Sequence, residues 1–156
     1  MGSEVAELQK QLIDHTASLF NEGIMNEQFK QLLFLQSEGN PGFVFQVVTL
    51  FFQESDKLFN EIGPSLEQAN VDFKKLDAHM HQLKGSTSSI GAQRMGNACI
   101  AFRNCIQENN FEGCLKCLEQ VREEYSIVKS KLEALFKLEQ QIVAAGGSIP
   151  YTFSGH

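Results

Sequence analysis

A chain of 156 residues with 42% hydrophobic side chains, including thirteen phenylalanines, is long enough to bury one core and too apolar to stay disordered. Its net charge of −6 at pH 7 argues against a nucleic-acid binder, which presents a broad basic face. No run approaches the ~18 apolar residues of a membrane span, no signal peptide is expected, and Ala6 breaks the myristoylation pattern, so an intracellular soluble protein is expected.

Three prolines and few β-branched runs favour an all-α chain. A first helix is predicted over Val5 to Asn21, with Val5, Leu8, Leu12 and Leu19 as its apolar line and His15 as a structural or surface residue. Gly23 breaks it, and Asn26 caps a second helix from Glu27 to Gln36. In the next junction Asn40 is the expected cap and Pro41 the first helical residue of a segment running to about Ile62. That segment carries two stripes. Val44, Val47, Val48, Phe51, Leu58 and Ile62 form one; Phe45, Phe52 and Phe59 form another at heptad spacing, either buried between helices or open to a partner. Gly63-Pro64 is expected to end or kink the helix.

The central stretch is Val71 to Ala92, whose Phe73, Leu76, Met80, Leu83, Thr87 and Ile90 recur at gaps of three and four. Asn70 or Asp72 caps its start, and Gly91 stands at its end. At about 100° per residue, His79 lies beside this buried stripe and His81 projects nearly opposite it. The neighbours of His81 on its face are Asp77, Ala78, Lys84, Gly85 and Ser88. A mid-helix glycine costs about 1 kcal/mol against alanine; at Gly85 the return is room for another molecule to approach the imidazole. A neutral imidazole is a nucleophile, and a nearby ammonium holds a phosphoryl group as a point charge. Nothing on that face completes a hydrolytic site, so the chemistry is that of a carrier.

After a short joint at Gly91 to Arg94, a helix is predicted from Met95 to Glu108, carrying Met95, Ala98, Cys99, Phe102, Cys105 and Ile106 inward. Asn109-Asn110 turn the chain into the longest helix, Phe111 to Ala145, which Gly146-Gly147 terminates. Its apolar line runs from Phe111 through Cys114, Leu118, Val121, Tyr125, Val128, Leu132, Leu135 and Leu138 to Ile142, with Glu119, Glu123, Glu124, Lys129 and Lys131 expected in solvent. Short turns between long helices imply an antiparallel four-helix bundle over residues 41–145, with two extra N-terminal helices within 4–37. The whole of 1–147 is read as one domain and 148–156 as a loose tail ending in an inert His156. Cys114 and Cys117 form a CxxC without the strand–helix setting of a redox motif, and with Cys99 and Cys105 are read as core or helix-flank residues of a reduced chain.

HQLKGSTSSIGA, from His81 to Ala92, resembles the signature of the histidine-containing phosphotransfer (HPt) proteins. LDAHMHQLKG, NACIAFRNC and EQVREEYSIVKSKLEALFKLEQQIVAAGG extend the likeness to the plant members of multistep phosphorelays, from about Asp14 to Gly147. The resemblance implies that His81 accepts the phosphoryl group and Lys84 supports its charge, with Gln82 and Gly85 at the docking surface. Asp77 is a candidate to orient the imidazole, and Ser88 lies on the same face. Relatives that have lost function lack this histidine. Thr87 stands where serine is more usual, and Gly96 where a lysine often stands. The implied partners are receiver domains of hybrid sensor kinases and response regulators, which supply the aspartate and Mg²⁺; this chain binds no cofactor and no metal. It is expected to be a monomer without autokinase or hydrolase activity, in cytokinin-type signalling between cytoplasm and nucleus. The competing reading is an all-α interaction module without phosphoryl chemistry that binds a helix through Phe45, Phe52 and Phe59. A metal site at His79 and His81 is disfavoured because residues i and i+2 of a helix diverge.

Overall fold

The computed structural model describes residues 2–37, 39–40 and 42–151, so Pro41 and residues 152–156, His156 included, lie outside the described residues. The described chain is helical: α1 Gly2–Asn21, α2 Glu27–Ser37, α3 Phe43–Leu66, α4 Phe73–Ile90, α5 Gln93–Gln107 and α6 Phe111–Ala144. Helices α3 to α6 form the antiparallel bundle, with α4 between α3 and α5 and α5 against α6. The extra length of α6 runs past the bundle and receives α1, while α2 lies across α3 and α4.

The core follows the predicted stripes. Leu76, Met80, Leu83 and Ile90 of α4 meet Val44, Val48, Leu58 and Ile62 of α3, Met95, Cys99 and Phe102 of α5, and Val121, Val128 and Leu132 of α6, all within a few per cent of full burial. Asp72 caps α4, its carboxylate accepting from the Lys75 amide at 3.1 Å, and Gly91 closes it at φ 78°. Asn110 caps α6 through the Gly113 amide at 3.0 Å.

Several boundaries differ from the periodicity. Helix α3 begins at Phe43 rather than at 41, and Asn40 gives it no side-chain cap; the Gln36 side chain reaches over from α2 to accept from the Val44 amide at 3.1 Å. Gly63-Pro64 does not end α3, which continues to Leu66. Proline removes only the donor for the carbonyl four residues back, Ser65 Oγ donates to the next carbonyl, Glu61, at 2.7 Å, and buried Leu66 anchors the added turn. Helix α5 starts at Gln93, two residues early. Glu124 is buried rather than solvated, because Arg94 of α5 reaches it at 3.0 Å and Gln120 donates to it at 3.3 Å. At the start of α6, Phe111 is 41% exposed instead of leading the buried line.

Residues 148–151 are held rather than loose. Gln9 donates to the Ser148 carbonyl at 2.8 Å, Ile149 packs on the core, and the Tyr151 hydroxyl donates to Glu139 at 2.7 Å. Burial raises the Glu139 carboxyl above its usual range, against hydrogen bonds from Tyr151 and Gln36 that lower it. A folded-state value above the unfolded one contributes stability that is full below the unfolded pKa and is lost as pH rises through the folded one. Glu139→Gln keeps an oxygen for Tyr151, so its melting temperature is expected to exceed that of the parent chain at pH 7.5, the gap closing toward pH 4. A gap that widens on acidification in a thermal-melt series would contradict this assignment.

Candidate functional site

Helix α4 points its two histidines at different neighbours. His79 Nε2 pairs with Glu61 of α3 at 2.9 Å, its ring nearly buried and its Nδ1 without a partner among the described residues. His81 is exposed on the opposite side, where its Nδ1 lies 3.4 Å from the Arg103 guanidinium of α5. The pair cannot chelate one ion, because their rings face different helices.

Arg103 is the site residue the α4 pattern did not contain. Its Nε and Nη2 form a fork on Asp77, at 3.0 and 3.3 Å, and its Nη1 turns to His81. The Asp77 hydrogen bond also holds the guanidinium pKa above its ordinary value, so the charge is permanent. Asp77, the candidate to orient the imidazole, therefore reaches it through Arg103. The guanidinium only donates, so the contact needs a lone pair on Nδ1 and places the proton of the neutral ring on Nε2. At 3.4 Å it is long for a hydrogen bond and restrains the ring weakly.

Lys84, half-buried one turn beyond His81, has no ion-pair partner among the described residues. It lines a small cleft of about 70 Å³ with Ser88, Thr87, Gly96, Asn97 and Ile100. Beneath it, burial pushes the Cys99 thiol up to about 12, and Lys84 moderates the rise. Gln82 and Gly85 are exposed, and a Cβ built at Gly85 meets nothing within 4 Å. Gly85→Ala is thus expected to stabilise the isolated chain by up to about 1 kcal/mol through helix propensity. Urea unfolding checks it, and a loss of stability would mean the space is not free.

Thr87 is buried as expected, and it touches the other departure. A Cβ at Gly96 would lie 3.1 Å from the Thr87 hydroxyl, which already donates to the Lys84 carbonyl at 2.6 Å.

The larger cavities avoid the histidine. A cavity of about 760 Å³ is lined by Gln36, Phe45, Phe136, Glu139 and Tyr151 among others, away from α4 and α5. The second aromatic stripe is no continuous surface: Phe59 and Phe52 stack on Tyr125 of α6 at 5.2 and 6.2 Å, and Phe45, half-exposed, sits edge-on to Phe136. Exposed apolar side chains stand closer to the histidine's side of the bundle at Ile100 of α5.

The site is thus an exposed imidazole on a helical bundle, with Arg103 against it and Lys84 one turn on. Residues 46–131, more than half of the chain, match the Hpt domain family. Histidine-containing phosphotransfer protein 1 of Arabidopsis thaliana is 60% identical over 147 residues, covering 94% of this chain and 96% of that protein. Histidine-containing phosphotransfer protein 5 of the same plant is 52% identical, with 94% of each covered. The crystal structure of the histidine-containing phosphotransfer protein MtHPt2 from Medicago truncatula superposes with a TM-score of 0.86 at 48% identity, over 90% of this chain and 96% of that one. The chain belongs to the histidine-containing phosphotransfer family.

Proposed function

We propose that the chain carries a phosphoryl group on His81 between the receiver domain of a hybrid histidine kinase and that of a response regulator. The observation that carries this reading is the exposed His81 ring beside Arg103 and Lys84. An imidazole nitrogen attacks the phosphorus of an aspartyl phosphate, the acyl P–O bond breaks, and the donor's aspartate leaves as a carboxylate. The reverse attack by a second receiver's aspartate unloads the ring. The two cations offset charge on the transferring group, and most of the remaining catalysis is in-line positioning. Attack through Nε2 requires its proton to move to Nδ1, so the Arg103 contact opens and frees the guanidinium to turn toward the phosphoryl oxygens. Asp77 anchors that guanidinium throughout. Gln82, Gly85 and Ser88 belong to the surface on which the receiver docks. The divalent ion, Mg²⁺, belongs to the receiver.

Among the described residues, the carboxylate beside His81, that of Asp77, is engaged by Arg103 rather than free to activate water. This supports reading the chain as a holder of its phosphoryl group rather than a kinase or hydrolase; we take it to act as a monomer. By family resemblance its relay is of the cytokinin type, with the chain moving between cytoplasm and nucleus.

The test is incubation with a phospho-labelled receiver domain and Mg²⁺. Label that moves to this chain, labile to acid and stable to base, supports a phosphohistidine. No transfer from a receiver that loads another phosphotransfer protein would overturn the proposal.

A further inference from the structure

We propose that Cys105 and Cys117 are a reversible dithiol–disulfide pair that draws α5 toward α6 and, through α5, parts Arg103 from His81. Their Sγ atoms lie 3.8 Å apart, already in van der Waals contact across the two helices. Closing to a bond of about 2.05 Å takes less than 2 Å of movement. Both residues are half-buried, within reach of a small oxidant, whereas Cys99 and Cys114 are fully buried. Gly113 keeps the meeting point open, since a Cβ there would stand 2.8 Å from the Cys105 sulfur. The joint itself is short: the Asn110 amide bonds back to the Cys105 carbonyl at 2.9 Å.

Burial and the neighbouring Cys105 thiol push Cys117 up to about 11, so this thiol stays protonated at pH 7 and reacts slowly with oxidant. Hydrogen peroxide then oxidises one thiol to a sulfenic acid with loss of water. The second sulfur attacks it, the S–O bond breaks, and a second water leaves. Two thiols and one peroxide give one disulfide and two waters, and a thiol reductant reverses the product.

Arg103 and Cys105 stand two residues apart on α5, about 200° around the helix. One faces His81 on α4 and the other faces α6. A pull on Cys105 toward α6 therefore withdraws the guanidinium from the His81 face, where the transfer needs it to turn toward the phosphoryl oxygens. This coupling rests on the phosphotransfer reading; the crosslink does not.

The whole chain is treated with hydrogen peroxide beside Cys117→Ser and Cys114→Ser variants and read by intact mass and peptide mapping. Loss of two hydrogens, mapped to Cys105–Cys117 and absent only in Cys117→Ser, is the expected result. No crosslink, or one that runs through Cys114, would overturn the proposal. In the transfer assay the oxidised chain is expected to load several-fold more slowly, with recovery on reduction and no effect of peroxide on Cys117→Ser. Unchanged loading of the crosslinked chain would overturn the coupling. If the reduced chain does not load at all, the phosphotransfer reading fails and takes the coupling with it, while a mapped crosslink still establishes the pair.

Discussion

His81→Gln is expected to lower phosphoryl acceptance at least a hundredfold while leaving stability within about 0.5 kcal/mol of the parent chain. The ring is exposed and its polar contact among the described residues is with Arg103, at 3.4 Å, so its loss opens no cavity and strands no buried group. Glutamine retains length and polarity without a nucleophilic nitrogen. Arg103→Ala supplies the contrast: it removes a cation beside the acceptor and leaves Asp77 unpaired, yet it keeps the nucleophile. Its loading is expected to slow without being lost, and the label still to sit on a histidine. The rates are read as transfer from a phospho-receiver, and the fold by circular dichroism and urea unfolding. Equal loading of His81→Gln and the parent chain would place the acceptor on another residue.

Gly91→Ala should be the most damaging small substitution outside the apolar core, costing about 2–5 kcal/mol. The left-handed backbone at φ 78° accounts for about 1–2 kcal/mol in any L-residue with a Cβ. Steric overlap adds about 1–3 kcal/mol: the new methyl would collide with the Asn26 side chain and stand 2.7 Å from the Phe29 amide nitrogen. Those atoms cannot easily withdraw. The Asn26 amide donates to the Gly91 carbonyl at 2.8 Å, and the Gln93 amide donates to the Ile24 carbonyl at 3.0 Å. The α1–α2 joint is thereby clamped to the α4–α5 joint, at the far end of the helix that bears His81. Urea unfolding measures the loss, and a change below 1 kcal/mol would mean that α2 rides loosely on the bundle. Gly85→Ala, on the same helix and with free space above it, should move stability the other way.

His81, Lys84 and Gly85 were legible because a single helix sets their relation: spacing in the chain fixes the face, and the face fixes exposure. The core of α4 was legible for the same reason. Arg103 was hidden because it comes from another helix, 22 residues on, and only the packing of α5 against α4 brings it to Asp77 and His81. Glu124 misled for the same cause, since the Arg94 that lets it be buried lies 30 residues away. At Pro64 a strong local rule lost to the burial of Leu66 two residues later. The segment 148–151 has no periodicity to read, yet Tyr151 finds Glu139 and holds it to α6.

The contact between Thr87 and the space above Gly96 makes these two positions dependent on each other. The Thr87 hydroxyl is tied to the Lys84 carbonyl, so a side chain introduced at 96 asks it to give by a few tenths of an ångström against that hydrogen bond. Serine at 87, lacking the second branch, has another rotamer to take. A lysine at 96 is therefore accommodated more easily by this chain once position 87 is serine than while it is threonine. The charge pattern of the surface beside the histidine is in that sense contingent on a buried residue.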